Sequence, residues 1–132
     1  MSQFIVADRG GNAFALALPQ VLRVTMSPQI CEAPLMPPGY LGVIDFEGNA
    51  LPVWDPFPES GDAMWGATVI VAEGPGGKVG ILSDAPPRVA SADDAPPALI
   101  ASRPAGPMWE SVVKVGEEAV PVLDPSRFEG DR

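Results

Sequence analysis

Prolines and glycines divide this chain into short segments, and they limit its secondary structure more than any other feature. The 132 residues include 17 prolines and 14 glycines. Neither residue fits well inside a regular helix, whereas both are frequent in turns. The sequence therefore excludes long helices and predicts many short strands joined by turns.

Eight segments have the apolar and β-branched composition that is typical of strands. They are residues 3–8, 13–19, 42–46, 50–54, 66–73, 78–84, 109–115 and 119–124. Glycine-containing turns at residues 9–12, 47–49, 74–77 and 116–118 join them in pairs, and each pair is predicted to be a hairpin. Residues 19–25 fit either one helical turn or a further strand. Residues 27–41 and 88–106 are predicted to be irregular.

This pattern indicates an all-β protein, an antiparallel barrel or sandwich with at most short helical turns. The length suits one domain, or two small halves that share a core. An internal echo favours two related halves, since residues 50–56 read ALPVWDP and residues 119–125 read AVPVLDP. We therefore expect two barrels that each contain an equivalent strand end.

Missing residue types restrict the chemistry that the chain can perform. The sequence has no histidine and one cysteine, Cys31, which excludes histidine-based nucleophile systems, disulfides within the chain and ordinary zinc sites. Cys31 has no neighbouring base and is interpreted as a small, partly buried apolar residue. We expect no catalysis, no metal and no cofactor.

The charge and hydropathy patterns restrict the partners and the location. The formal net charge is -9 and the eight basic residues are scattered, so a nucleic-acid partner is not expected. No apolar run approaches the roughly 18 residues that span a bilayer, so we expect no direct membrane insertion. The N-terminal residues do not resemble a secretory signal, which favours the cytoplasm.

Three motifs, taken in order, resemble the CheW-like domain, the adaptor fold of bacterial chemotaxis signalling. They are GVIDFEGNALPVWDP from Gly42, VGILSD from Val79 and VPVLDPSRF from Val120. The resemblance covers nearly the whole chain and implies a single domain, residues 1–132, made of two intertwined subdomains. These are expected to be SH3-like, five-stranded antiparallel β-barrels that share a hydrophobic core.

The resemblance also implies what the chain does. Domains of this family couple chemoreceptor tips to the regulatory domain of the histidine kinase CheA. We therefore expect a non-enzymatic adaptor in two-component signalling, with a CheA-type kinase and a chemoreceptor cytoplasmic tip as partners. The alternative is a CheW-like fold that serves as a regulatory or localisation module and binds a non-receptor protein.

The family's motifs place the expected partner surface on two segments of this chain. The family's alternating valines correspond to Val21 and Val24, and its GVxNLRG motif corresponds to residues 42–48. The expected partner-binding residues are Val21, Arg23, Val24, Val43, Asp45, Glu47 and Gly48. Core packing is an equal alternative for the two valines.

The charges on these segments depart from the family's pattern. The family commonly has a glutamate at the position of Arg23, with asparagine and arginine at the positions of Asp45 and Glu47. Both signs are reversed, and we predict that Arg23 and Glu47 form an exchanged ion pair that changes the choice of partner. The simpler alternative is that Glu47 is a solvated turn residue, since exposed pairs contribute only about 0.2–1 kcal/mol.

The tryptophans and the carboxylates each allow a further interpretation. Trp54, Trp65 and Trp109 suit an aromatic binding surface, although we favour core packing. Asp45, Glu47 and Asp55 invite comparison with the paired carboxylates of glycosidases. Such an enzyme, or a ligand-binding protein, needs a deep polar pocket around Asp45 and Asp55, whereas turn formation before Pro56 explains Asp55 more simply.

Overall fold

The described part of the chain consists mainly of strands, which confirms the all-β prediction. The computed structural model describes residues 2–26, 28–32, 39–61, 67–74, 76–94, 104 and 108–127. Its strands are β1 (Ser2–Arg9), β2 (Asn12–Ala17), β3 (Val21–Met26), β4 (Cys31–Glu32), β5 (Tyr40–Phe46), β6 (Asn49–Trp54), β7 (Thr68–Gly74), β8 (Gly77–Ser83), β9 (Arg88–Asp94), β10 (Trp109–Val115) and β11 (Glu118–Leu123). Short 3-10 turns lie at Leu18–Gln20, Pro58–Ser60 and residues 125–127.

The strands form two sheets in a barrel-like arrangement, as predicted, but the second sheet has six strands where five were expected. The first is a closed five-stranded barrel in the order β1-β2-β11-β10-β9, built from both ends of the chain. The second has six strands in the order β3-β7-β8-β6-β5-β4, built from the middle of the chain. Each sheet contains one parallel contact, β2 with β11 and β6 with β8, among otherwise antiparallel pairs.

The two sheets are equivalent strand by strand, which accounts for the sequence echo. The hairpins β5–β6 and β10–β11 each pair six positions and end in a two-residue turn. Their ladders have an irregularity at the same place, between Tyr40 and Gly42 in one and between Trp109 and Ser111 in the other. The ALPVW and AVPVL segments therefore belong to corresponding strands.

The second sheet has six strands because the equivalent of β9 is divided. In the first barrel β9 pairs with both β1 and β10. In the second sheet β3 pairs with β7, and β4 pairs with β5, so β3 and β4 together take the place of β9. Only residues 27–30 join them, which keeps the two sheet edges within about 18 Å. The second sheet is thus barrel-like, with an open seam between its two edge strands, β3 and β4.

Strand β9 corrects one sequence prediction. Residues 88–106 were expected to be irregular, yet Arg88–Asp94 forms a strand that pairs with β1 at five positions. Its alternating alanines and serine give a weak strand signal, and pairing with neighbours supplies what the composition lacks. The ambiguous residues 19–25 contain parts of both predicted structures, a 3-10 turn that ends at Gln20 and strand β3.

Among the described residues, the buried apolar side chains form three clusters, and one of them is shared by the two sheets, as expected. The shared core draws on both sheets and contains Ile5, Ala7, Phe14, Leu16, Ile70, Ala72, Val79, Ile81, Trp109 and Leu123. A smaller cluster fills the first barrel, with Val6, Ala15, Ala92, Val113, Val120 and Val122. Another fills the second, with Ile44, Leu51, Val53, Val69 and Val71. Burial of these side chains supplies the main driving force for folding.

Candidate partner-binding site

The β5–β6 hairpin places three of the expected site residues at its tip. Its two-residue turn consists of Glu47 (φ 53°) and Gly48 (φ 85°), the conformation that favours glycine or asparagine at both positions. Glu47 is the one non-glycine residue with positive φ in the described part of the chain. The backbone N–H of Gly48 donates to Asp45 Oδ1 at 3.0 Å, so Asp45 stabilises the turn.

Arg23 reaches this tip from β3, across the seam. Its Nη1 lies 3.0 Å from Glu47 Oε2, which confirms the predicted ion pair. The guanidinium also lies 5.8 Å from the centroid of the Phe46 ring, within the range of a cation–π contact. We call Arg23, Phe46 and Glu47 the charged corner. The two ionic side chains are 59% and 61% exposed, so their pairing is screened by water and adds at most about 1 kcal/mol.

The valines of the expected site differ in their surroundings. Val21 is partly buried and packs against the shared core, which favours the packing role that the sequence left open. Val24 is also partly buried. Val43 lies on β5, partly buried, where it pairs with Cys31 of β4 and Pro52 of β6.

Two exposed apolar residues on β3 were missed by the sequence interpretation. Leu22 is 44% exposed and Met26 is 57% exposed. The pairing of β3 with β7 has an irregularity between Val21 and Arg23, so Leu22 and Arg23 are both exposed although they are consecutive. Strict alternation, the pattern by which a strand's outer face is usually identified, fails at such a bulge.

Asp55 lies in a buried ion pair and not in a catalytic dyad. Arg9 donates from Nε to Asp55 Oδ1 at 3.1 Å and from Nη2 to Asp55 Oδ2 at 2.9 Å. Both side chains are nearly inaccessible, with exposures of 2% and 3%. Asp55 Oδ1 also accepts the backbone N–H of Phe57 at 2.9 Å, which confirms its role in a turn. Because Asp45 likewise holds a turn, the glycosidase interpretation gains no support.

The remaining candidates have structural roles where they are described. Trp109 is buried in the shared core and Trp54 packs against it, so both follow the favoured core interpretation, while Trp65 lies outside the described residues. Cys31 is exposed, and its interpretation as partly buried is wrong, because it lies on β4 at the edge of the second sheet.

Two properties of the described residues bear on ligands and membranes. Within those ranges, no three side chains of the metal-binding types come together as a group. No helix in the same part of the chain has the length and apolar character needed to cross a bilayer.

Comparison with known proteins identifies the family. The fold is similar to the crystal structure of the scaffolding protein TtCheW from Thermoanaerobacter tengcongensis, with a TM-score of 0.75, 19% sequence identity, and coverage of 95% of this chain and 90% of that chain. A search of curated proteins gave no significant match. The family model described as the CheW-like domain matches residues 3–130. Because this match spans nearly the whole chain, the protein belongs to the CheW-like domain family.

Proposed function

We propose that this chain is a non-enzymatic, cytoplasmic adaptor of chemotaxis-type signal transduction that acts as a single domain. In this role it couples the regulatory domain of a CheA-type histidine kinase to a chemoreceptor cytoplasmic tip. Family membership over residues 3–130 supports an adaptor, and the similar fold of TtCheW belongs to a protein described as a scaffold. The charged corner is the observation that supports a partner contact at particular residues.

The backbone conformation at Glu47 supports a role for its carboxylate in binding a partner. A non-glycine residue in the left-handed region costs roughly 1–2 kcal/mol, and the exposed pair with Arg23 returns at most about 1 kcal/mol. The equivalent turn of the β10–β11 hairpin has Gly116 at this place, also with positive φ (62°). Stability alone therefore favours glycine, and a contact with a partner explains the charged side chain better.

The proposed partner surface extends from the corner along β3 and β5. It consists of Val21, Arg23, Val24, Val43, Asp45, Glu47 and Gly48, to which we add the exposed Leu22. Apolar side chains beside an ion pair suit a contact with an apolar centre and a charged rim. Since like charges brought together at an interface penalise binding, the partner is expected to present a basic group to Glu47 and an acidic group to Arg23.

Charge exchange at the corner tests this function. We would measure, by isothermal titration calorimetry, binding to the regulatory domain of the CheA-type kinase from the same genome and to that of a conventional chemotaxis system. The variants are Arg23→Glu, Glu47→Arg and the double exchange, with Arg88→Glu as a matched control, because Arg88 lies on β9 at the position that corresponds to Arg23.

Each single exchange should weaken binding to the kinase from the same genome at least tenfold, because it places two like charges together at the corner. The double exchange should instead gain affinity for the conventional kinase domain, while Arg88→Glu changes neither affinity. If all three corner variants bind as the unmodified protein does, the corner is not the contact surface.

The second candidate function is a regulatory or localisation module that binds a non-receptor protein. The exchanged ion pair favours it, because a corner of reversed sign is poorly matched to partners that recognise the family's arginine. Affinity capture from native extract with the unmodified protein and with Glu47→Arg separates the two functions. Recovery of a kinase and a receptor supports the adaptor, whereas a different protein lost with Glu47→Arg supports the second function.

A further inference from the structure

The side chain of Arg9 joins the two barrels. Arg9 is the last residue of β1 in the first barrel, and only 2% of its surface is exposed. Its described partners belong to the middle of the chain, which builds the second sheet. They are the two carboxylate oxygens of Asp55, which follows β6, the carbonyl oxygen of Gly61, and Asp84 Oδ1 at 3.6 Å from Nη1.

The backbone beside Arg9 is held against the same segments. The N–H of Gly10 donates to Asp84 Oδ2 at 2.6 Å, and the N–H of Asp84 donates to the carbonyl oxygen of Asp8 at 2.8 Å. Gly10 (φ 59°) lies against Ser60 so closely that a Cβ atom at Gly10 would overlap the serine side chain. The β1–β2 turn thus packs against segments that follow strands of the second sheet.

The charged group formed by Arg9, Asp55 and Asp84 is not explained by stability alone. One guanidinium faces two carboxylates, and the buried Asp84 Oδ1 accepts no hydrogen bond from the residues that the structure describes. A buried ion pair loses so much hydration that apolar residues of similar size often stabilise a protein as well or better. The ion pair instead fixes the relative orientation of the two groups, because the planar guanidinium binds a carboxylate through two parallel hydrogen bonds. Apolar contacts in the shared core are non-directional and do not fix an orientation in this way.

We propose that Arg9 is a positioning residue that fixes the orientation of the second barrel relative to the first. The shared core holds the barrels together, and the bidentate ion pair with Asp55 fixes the angle between them. Distances between surface points on different barrels therefore depend on this side chain. This inference stands whether or not the proposed adaptor function is correct.

Electron–electron double resonance between two spin labels tests the proposal in the full chain. The exposed Cys31 on β4 provides a natural label site on the second barrel, and Ser91→Cys provides an exposed one on β9 of the first. The doubly labelled protein should give one narrow distance distribution. Arg9→Met should broaden it or shift its maximum. Arg23→Met, the matched control, should leave it unchanged, because the described ionic and ring contacts of Arg23 lie within the second barrel.

Further variants separate orientation from simple stability. Arg9→Lys keeps the charge but cannot make both parallel hydrogen bonds, and we expect it to broaden the distribution as well. If Arg9→Met does not fold, Asp55→Asn removes the carboxylate with almost no change of shape and should broaden the distribution in its place. A folded variant of Arg9 or Asp55 that melts at lower temperature but keeps the narrow distribution would overturn the proposal, and so would full recovery with lysine.

Discussion

Asp55 and Asp124 occupy equivalent positions, since each directly follows the second strand of its hairpin and ties that end to the hairpin's beginning. The backbone N–H of Asp55 donates to the carbonyl oxygen of Gly39 at 2.6 Å, and that of Asp124 donates to the carbonyl oxygen of Met108 at 2.8 Å. Their side chains have different tasks. Asp55 binds Arg9 of the other barrel, whereas Asp124 accepts hydrogen bonds from neighbours in its own turn and from Gln20.

Removal of the Asp55 charge should therefore lower the stability more than removal of the Asp124 charge. Asp55→Asn breaks a buried ion pair and should lower the free energy of unfolding by about 3 kcal/mol. Asp124→Asn weakens hydrogen bonds at a partly exposed site and should cost about 1 kcal/mol. Urea unfolding followed by tryptophan fluorescence measures both. Equal losses would show that the Arg9 contact adds no more than a local turn does.

Asp124 should also give the stability a dependence on acid pH. Burial alone would raise the pKa of Asp124, but hydrogen bonds from Ser126 and Gln20 and the charge of Arg127 outweigh it, so this pKa lies below its usual 3.8. A depressed pKa in the folded state means that the stabilisation is complete above the unfolded value and is lost as the pH falls through the folded value.

The test of this dependence is the difference in unfolding free energy between the unmodified protein and Asp124→Asn. It should be constant from pH 7 to about pH 5 and shrink below about pH 4. In addition, Ser126→Ala should raise the pKa of Asp124 in an NMR titration, because it removes the hydroxyl donor that lies 2.7 Å from Oδ1. A difference that grows toward low pH contradicts the assignment.

Glu47→Asn should leave the protein at least as stable as it was. Asparagine adopts positive φ more readily than glutamate does, and this gain of up to about 1 kcal/mol offsets the loss of an exposed ion pair. Gly48→Ala serves as the matched control and should destabilise by about 1 kcal/mol, because φ is 85° there. A clear loss of stability in Glu47→Asn would mean that the ion pair closes the seam more strongly than its exposure suggests.

Neighbouring substitutions on β3 should separate packing from binding. Val21→Ala removes atoms that contact the shared core and should cost about 1 kcal/mol of stability. Leu22→Ala changes an exposed side chain and should alter stability by less than about 0.5 kcal/mol, while it weakens binding to the proposed kinase partner. The opposite result, a Val21→Ala variant with unchanged stability and weakened binding, would show that Val21 acts mainly in the partner surface and not in the core.

Local patterns in the sequence predicted most of the fold. Four turns with glycine fixed four hairpins, and the repeated Asp-Pro ends indicated two related halves. Strand β9 escaped prediction because its composition is a weak strand signal and its conformation depends on pairing, above all with β1, which lies far away in the chain. The short β4 escaped for the same reason, since two residues carry no periodic pattern and form a strand only beside Gly42 and Val43.

In the candidate site, the ion pair was predicted from the sequence, whereas features that depend on packing were missed. Arg23 and Glu47 were paired correctly because reversed charges at two positions point to each other. The outward position of Leu22 depends on a register irregularity that no alternating pattern reveals. Arg9 was interpreted only as a hairpin residue, and nothing near it in the sequence indicates Asp55, which lies 46 residues away.

The arrangement of strands in the two sheets has a consequence for the order in which the protein folds. Strands β3–β8 are contiguous and can pair as soon as they are synthesised, but the first barrel needs β9–β11 to join β1 and β2 across residues 18–87. At roughly 5–20 residues per second, the ribosome takes about 4–14 s to make this intervening segment. During that interval the β1–β2 hairpin exposes apolar side chains and unpaired strand edges. A chaperone that binds apolar segments is therefore expected to act on the β1–β2 hairpin until β9–β11 have been made.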